Sequence, residues 1–223
     1  MSEGMGRESF LHIGFGMCII GKKTKEKPGM GMEYERKFRA EEEIQEKLLG
    51  FLSGSREEYR MKTTYFDTLD GALSSRKWTL RCRQENERSV CTLKTPGQGN
   101  ARGEWEVSAG EIRESIDMLC KHGAPEELRA LCAEGLKPVC GAEFTRTAIT
   151  VSYGESLLEV ALDRGVLTGG GKSAPIAEVE VELKQGSIAD ADGFADVLCQ
   201  KFGLTEEPDS KFRRALALYR GEK

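Results

Sequence analysis

Histidine is nearly missing from this chain: His12 and His122 are two among 223 residues. Neither stands among other ligand-type side chains, which argues against imidazole catalysis and a histidine-rich metal site. Paired cysteines are missing too. Cys18, Cys82, Cys91, Cys120, Cys132, Cys140 and Cys199 are odd in number and contain no CxxC. That spacing fits neither a zinc site nor a disulfide framework, and points to reduced thiols in a cytoplasmic protein. There is no basic excess: 33 Lys and Arg against 37 Asp and Glu give a net charge of −4. A general nucleic-acid binder is thereby disfavoured, while a local phosphate pocket is not. The apolar run Phe10–Ile20 is far shorter than the ~20 residues a membrane helix needs. No phosphate-binding loop or dinucleotide fingerprint is found; Gly169-Gly170-Gly171 lacks the following Lys-Ser/Thr and helix start.

What is present is charge, 31% of residues, beside 39% hydrophobic residues, the balance of a folded globular chain. The length suits a single core with helical additions. Residues 1–31 read differently from the rest. A Lys-rich stretch, Lys22 to Lys27, follows the apolar run where a signal peptide would have a small-residue cleavage site, and Pro28-Gly29-Met30-Gly31 breaks any continuing structure. This segment is expected to be a disordered or accessory leader, with Met32 as an alternative initiator. Residues 32–220 are expected to form one domain.

Strands are predicted at Met32–Arg39, Arg60–Thr68, Lys77–Gln84, Ser89–Thr95, Arg102–Ser108, Val139–Tyr153, Ser156–Asp163, Gly165–Thr168 and Ile176–Lys184. Helical spacing covers Glu41–Leu52, Glu111–Lys121, Glu126–Ala133, Asp190–Phe202 and Ser210–Tyr219, and Asp70–Ser75 reads as a turn or short helix. Successive strands joined by hairpin-length links favour an antiparallel sheet or barrel with flanking helices, an α+β fold.

The strands share an unusual habit. In Glu33-Tyr34-Glu35-Arg36-Lys37, alternation puts Glu33, Glu35 and Lys37 on one face. Arg81 and Arg83 oppose Leu80 and Cys82, and Lys94 opposes Leu93. Arg102, Glu104 and Glu106 oppose Trp105 and Val107. Glu159 and Asp163 oppose Leu158, Val160 and Leu162. Glu178, Glu180, Glu182 and Lys184 alternate with Val179, Val181 and Leu183. One such strand is explained by a wet face. Repeated glutamate at strand centres, against its poor β propensity, calls for a further reason. The ionic faces must meet solvent or a barrel lumen, and a closed barrel of about eight strands can enclose a ligand. Carboxylates suit hard divalent cations, and Arg and Lys suit phosphate. A triphosphate with its metal answers both sets of walls.

These residues resemble the CYTH superfamily, the triphosphate tunnel metalloenzymes. The match runs from Met32 to about Tyr219: the ExExK of Glu33, Glu35 and Lys37, then Tyr65-Phe66-Asp67-Thr68, Leu80-Arg81-Cys82-Arg83, Thr92-Leu93-Lys94, Arg102-Gly103-Glu104-Trp105-Glu106, Leu162-Asp163-Arg164-Gly165, Glu178–Lys184 and Ser210-Lys211, in the family's order. The resemblance implies an eight-stranded antiparallel β-barrel, a tunnel, holding a triphosphate and Mg²⁺ or Mn²⁺. It implies metal ligation by Glu33, Glu35, Glu180 and Glu182, with Glu104, Glu106 and Asp163 contributing. Phosphate oxygens would be held by Lys37, Arg81, Arg83, Lys94, Arg146 and Lys211. Glu33, Glu35, Lys37, Arg81 and Arg83 form the expected catalytic group. Glu178 is left out, at a place in its stripe that suits a tunnel mouth, and Tyr65–Thr68 and Trp105 are read as structural.

The implied chemistry is metal-assisted hydrolysis of a phosphoanhydride in inorganic triphosphate or a small organic triphosphate such as thiamine or nucleoside triphosphate. Two alternatives stay open: a class IV-type adenylate cyclase, whose His-Phe pair before ExExK is missing here, and a non-catalytic polyphosphate- or nucleotide-binding module. The expected partner is a small molecule rather than nucleic acid or membrane, and nothing in the sequence sets an oligomeric state.

Overall fold

Alternation decides the architecture of the computed structural model, which describes residues 31–98 and 101–222. The leader expected at the front, with His12 and Cys18, lies outside the described residues apart from Gly31. In chain order the elements are β1 (Gly31–Arg39), α1 (Glu42–Phe51), β2 (Ser55–Thr68), α2 (Ala72–Ser75), β3 (Thr79–Glu85), β4 (Arg88–Pro96), β5 (Ala101–Ser108), α3 (Ile112–Lys121) and α4 (Glu127–Cys132). The second half contains β6 (Leu136–Tyr153), β7 (Ser156–Gly169), β8 (Lys172–Gln185), α5 (Ile188–Phe202), β9 (Thr205–Glu206) and α6 (Lys211–Arg220). The sheet runs β5-β4-β3-β2-β6-β7-β8-β1, and β5 pairs back onto β1. Every one of these pairings is antiparallel. The result is the expected closed eight-stranded barrel with flanking helices.

The apolar halves of the strands face outward under helices. Phe38, Leu158, Val160, Leu162, Val179 and Val181 pack against Leu48 of α1 and Ala191, Phe194 and Leu198 of α5. On the other side Leu80, Cys91, Leu93, Trp105 and Val107 lie beneath Ile112, Ile116 and Leu119 of α3, so Trp105 is a core residue as its alternation requires. Each such side chain, fully buried, contributes about 1.5–3 kcal/mol. With the apolar faces spent on the helices, the ionic faces are left to the lumen.

The last helix behaves differently. Phe212, Ala215 and Leu216 pack on Met61, Tyr65, Phe144, Leu167 and Ile176, and Met61, Tyr65 and Phe212 also line the lumen cavity. α6 therefore closes one end of the barrel. Its start is fixed by Ser210, whose side chain accepts a hydrogen bond from the Arg213 amide, a cap worth about 1 kcal/mol.

Beyond shifted strand starts at β6 and β8, three features differ from the sequence reading. The two strands expected between Ser156 and Thr168 are one, β7, crossing Gly165 without a break. Gly165 is there for close approach: a Cβ would sit 2.2 Å from the Glu143 carbonyl oxygen and 2.5 Å from Phe144 Cα. The turn that ends β7 is Gly170-Gly171, both with positive φ, where glycine costs no side-chain strain. β2 begins five residues before the expected Arg60, because Ser55–Tyr59 pair with the far end of the long β6. β9 was not foreseen; two residues suffice to pair with Phe38 and Arg39 of β1.

Candidate active site

The register stacks the ionic side chains into layers across the tunnel. Glu35 of β1 faces Glu182 of β8, which faces Glu159 of β7. One layer on, Lys37 faces Glu180. The next carries Glu178 opposite Asp163, and Asp163 opposite Arg146 of β6. On β5, which closes the barrel against β1, Glu104 and Glu106 lie opposite Lys94 and Thr92 of β4, and those strand positions continue to Thr79 and Arg81 of β3. Together they enclose a cavity of about 380 Å³ whose lining includes Glu33, Glu35, Lys37, Arg81, Arg83, Lys94, Glu104, Glu106, Arg146, Glu180, Glu182 and Lys211. Asp163, fully buried, stands behind that lining.

At the α6 end the charges are already matched. Arg146 grips Asp163 with two hydrogen bonds, Nε to Oδ1 at 2.7 Å and an η nitrogen to Oδ2 at 2.6 Å, and reaches Glu180 at 2.5 Å. Lys211 Nζ lies 2.6 Å from Asp163 and 2.8 Å from Glu180 and also pairs with Glu178. Arg214 completes the set on Glu178. Oxygens of Asp163, Glu178 and Glu180 fall within 4.8 Å of one another, a spacing that could suit a cation. Yet three carboxylates meet three cations here. Burial pushes Glu180 up, but Lys211, Arg146 and Lys37 outweigh it and hold its carboxyl well below the ordinary range. Glu178 is fully buried in this network, not at the tunnel mouth as the sequence suggested.

Elsewhere the balance is unmet. Burial raises the Glu35 carboxyl above its ordinary range, and the negative neighbours Glu180 and Glu33 add to it. Glu182 is pushed to about 7, chiefly by burial, with Glu33 and Glu159 adding to the effect despite Lys184 at 2.8 Å. These carboxylates want a cation. Arg83 shows the opposite deficit: burial, then Arg81 and Arg146, lower its guanidinium below the ordinary value. The buried Nε atoms of Arg81 and Arg83 have no hydrogen-bond acceptor, a costly state for a charged donor. Arg81 stands 3.8 Å from Glu104 and 3.9 Å from Glu106. Lys94 sits on both oxygens of Glu33 at 2.5 Å and 3.3 Å from Glu104.

Five further charged residues line the cavity without having been assigned to the site from sequence: Glu85, Arg88, Arg102, Glu159 and Lys184. Arg102, Glu159 and Lys184 carried a usable signal, since each belongs to an alternating stripe already counted. Tyr59, Tyr65 and Phe212 add aromatic surface. Tyr65 was set aside as structural, and it is both, buried against Phe212 with ring centres 5.1 Å apart.

The sequence model of the CYTH domain matches residues 31–216. The inorganic triphosphatase of Haemophilus influenzae is 31% identical over 159 residues, 70% of this chain and 45% of that protein. The chain thus spans less than half the length of this curated relative. Among solved structures, a Pyrococcus horikoshii protein superposes with a TM-score of 0.58 at 20% identity, covering 82% of this chain and 98% of that one. A Hippeastrum protein described as having a dominant triphosphatase activity gives 0.57 at 16%, covering 86% and 97%. At those identities the structures speak for the fold alone.

Proposed function

The chain belongs to the CYTH domain family, and on that premise we propose that it hydrolyses a phosphoanhydride of inorganic triphosphate or a small organic triphosphate, with Mg²⁺ or Mn²⁺. The observation that carries the reading is the pair of opposite deficits in one cavity. Glu35 and Glu182 are carboxylates short of positive charge, and Arg83 is a buried cation short of negative charge. A triphosphate bound with a divalent cation supplies both at once.

The donor set fits a hard cation, being all carboxylate oxygen. Glu33, Glu35 and Glu182 would hold it, with Glu104 and Glu106 contributing from β5, the strand beside β1. Asp163 and Glu180 belong to the same proposed set, but here they are spoken for by Arg146 and Lys211, which suits an outer shell that fixes the ligand-bearing strands. The bound cation would polarise a phosphoryl oxygen and lower the pKa of an attacking water. Arg81, Arg83, Lys94 and Lys37 would take the phosphate oxygens, Arg through its planar fork and Lys as a point charge, and stabilise charge as the phosphoryl group leaves. Lys94 can serve only by leaving Glu33, so metal binding at Glu33 and phosphate binding at Lys94 favour each other. Arg146 and Lys211 complete the proposed basic set from the neutralised end.

No helix among the described residues is long and apolar enough to cross a membrane, and the described cysteines are free thiols. Both suit a cytoplasmic enzyme acting on a small molecule, which we include in the proposal.

The test is phosphate release from inorganic, thiamine and nucleoside triphosphates with Mg²⁺ or Mn²⁺. Glu35→Gln and Arg83→Ala are expected to abolish it while circular dichroism stays unchanged. Wild-type turnover in either folded variant would refute the assignment. Cyclic AMP from ATP would move it to the cyclase reading, and metal-driven binding without product to the binding-module reading.

A further inference from the structure

A pair of thiols stands back to back with the tunnel's arginines. β3 alternates Arg81, Cys82 and Arg83, so the guanidiniums line the cavity while Cys82 takes the outer face. Its direct partner on β4 is Cys91, and the two Sγ atoms lie 2.6 Å apart, against ~2.05 Å for a formed disulfide. Among the described residues no other two sulfurs are in hydrogen-bond contact. Access to the pair is one-sided. Cys91 is fully buried in the core under α3. Cys82 is only partly buried, its sulfur next to the carbonyls of Ala109 and Gly110 at 3.8 and 3.7 Å.

We propose that Cys82 and Cys91 are a redox modification site that closes a reversible cross-strand disulfide. The Cys82 thiolate attacks one sulfur of a small-molecule disulfide such as oxidised glutathione, forming a mixed disulfide and expelling one glutathione thiolate. Cys91 then gives its proton to solvent, attacks the Cys82 sulfur and expels the second glutathione. Two protein thiols are oxidised and one external disulfide is reduced to two thiols, so electrons and protons balance. The partly exposed Cys82 is the sulfur an external disulfide can reach, so it makes the opening attack. Cys91, fully buried and with its thiol pushed up to about 12 by burial and then the hydrogen bond with Cys82, is left to resolve the mixed disulfide. Intracellular disulfides of this kind are transient and redox-sensing rather than structural. This one would staple the hairpin whose inner face presents Arg81 and Arg83.

The full chain is incubated with oxidised glutathione, its remaining thiols are alkylated, and unreduced peptides are mapped by mass spectrometry. The expected product is a peptide joining Cys82 to Cys91, with two fewer alkylated thiols than the reduced protein, both recovered with dithiothreitol. Cys91→Ser should stop at a glutathione adduct on Cys82, Cys82→Ser should give neither product, and the oxidised wild type should unfold at higher urea than the reduced form. A lasting glutathione adduct on Cys82 in the wild type would overturn the proposal. So would an unchanged thiol count, or a bond from either residue to another cysteine.

Discussion

Lys211→Met isolates the network that anchors α6. Lys211 Nζ lies 2.6 Å from Asp163 and 2.8 Å from Glu180, and at an effective dielectric of ~20 each contact is worth ~6 kcal/mol of attraction. Desolvating the ions takes back most of that, so the intact network contributes little net stability. Removing the cation alone is another matter: Asp163, Glu178 and Glu180 would keep Arg146, Arg214 and, beside Glu180, Lys37, but each would lose the buried ammonium that now joins all three. The expected loss is about 3–5 kcal/mol, or ~6–20 °C in Tm for a domain of this size. The pH dependence follows from two opposite shifts. Lys211 is raised above its ordinary value, so its contribution is complete below that value and lost as pH rises through the folded one. Glu180 is depressed, so its contribution is complete above the ordinary glutamate value and lost as pH falls through the folded one. Both are fully present at pH 7.5. In the variant a carboxyl can take up a proton, so the deficit should shrink towards pH 5. Urea denaturation at the two pH values, with Arg213→Met on the exposed side of α6 as control, reads the difference. A loss under 1 kcal/mol at pH 7.5, or the same loss at both pH values, would refute the charge matching.

Glu182→Gln should act with the opposite sign. Because the folded carboxyl is raised from 4.5 to about 7, its charge opposes folding increasingly as pH rises through that window, by up to ~3 kcal/mol beyond it. In EDTA the variant should be more stable than wild type at pH 8 and nearly equal to it at pH 4.5, and calorimetry should show weaker Mn²⁺ binding; lower stability at pH 8 would contradict the burial argument. Lys184→Met removes an ammonium 2.8 Å from Glu182 and 3.6 Å from Glu159, and should tighten Mn²⁺ binding about tenfold, ~1.4 kcal/mol, by calorimetry. Looser or unchanged binding would show that Lys184 does not compete for those oxygens. Gly165→Ala should cost ~1–3 kcal/mol in urea denaturation, since the added carbon meets backbone of β6; an unaffected midpoint would mean that β6 and β7 separate freely.

Much of the tunnel was legible because alternation is local. The stripe of Glu178, Glu180, Glu182 and Lys184 needs only the two-residue period of a strand, and so does the outward turn of Trp105 and Val107. Partnership is not local. That Glu35 faces Glu182, and Glu182 faces Glu159, depends on β1 joining β8 across nearly the whole chain. For the same reason nothing in the stripe said that Glu178 would be buried against Lys211 and Arg214 rather than placed at a mouth. Gly165 was read as the first residue of a separate strand, Gly165–Thr168. Its purpose, close passage of β6, exists only once the barrel is closed.

The same non-locality explains how one tunnel keeps two kinds of charge. Around Asp163, Glu178 and Glu180, each carboxylate finds its cation on another element, β6 or α6, and the ion pairs fix where those elements meet. Around Glu35 and Glu182, neighbouring strands bring carboxylate beside carboxylate, and on the facing wall Arg81 and Arg83 follow one another along β3 with donors left over. Like charges held together in a buried place oppose folding, and the outer packing under α1, α3 and α5 has to carry that opposition. The separation explains why a ligand of mixed charge suits the tunnel better than a simple anion. A bare polyanion would satisfy the arginines while leaving Glu35 and Glu182 opposed to it, and a bare cation would leave Arg83 with Glu85, 3.4 Å away, and an unmet Nε donor. A metal-bound triphosphate relieves both deficits, and the neutralised network at the α6 end holds the walls in place for either half.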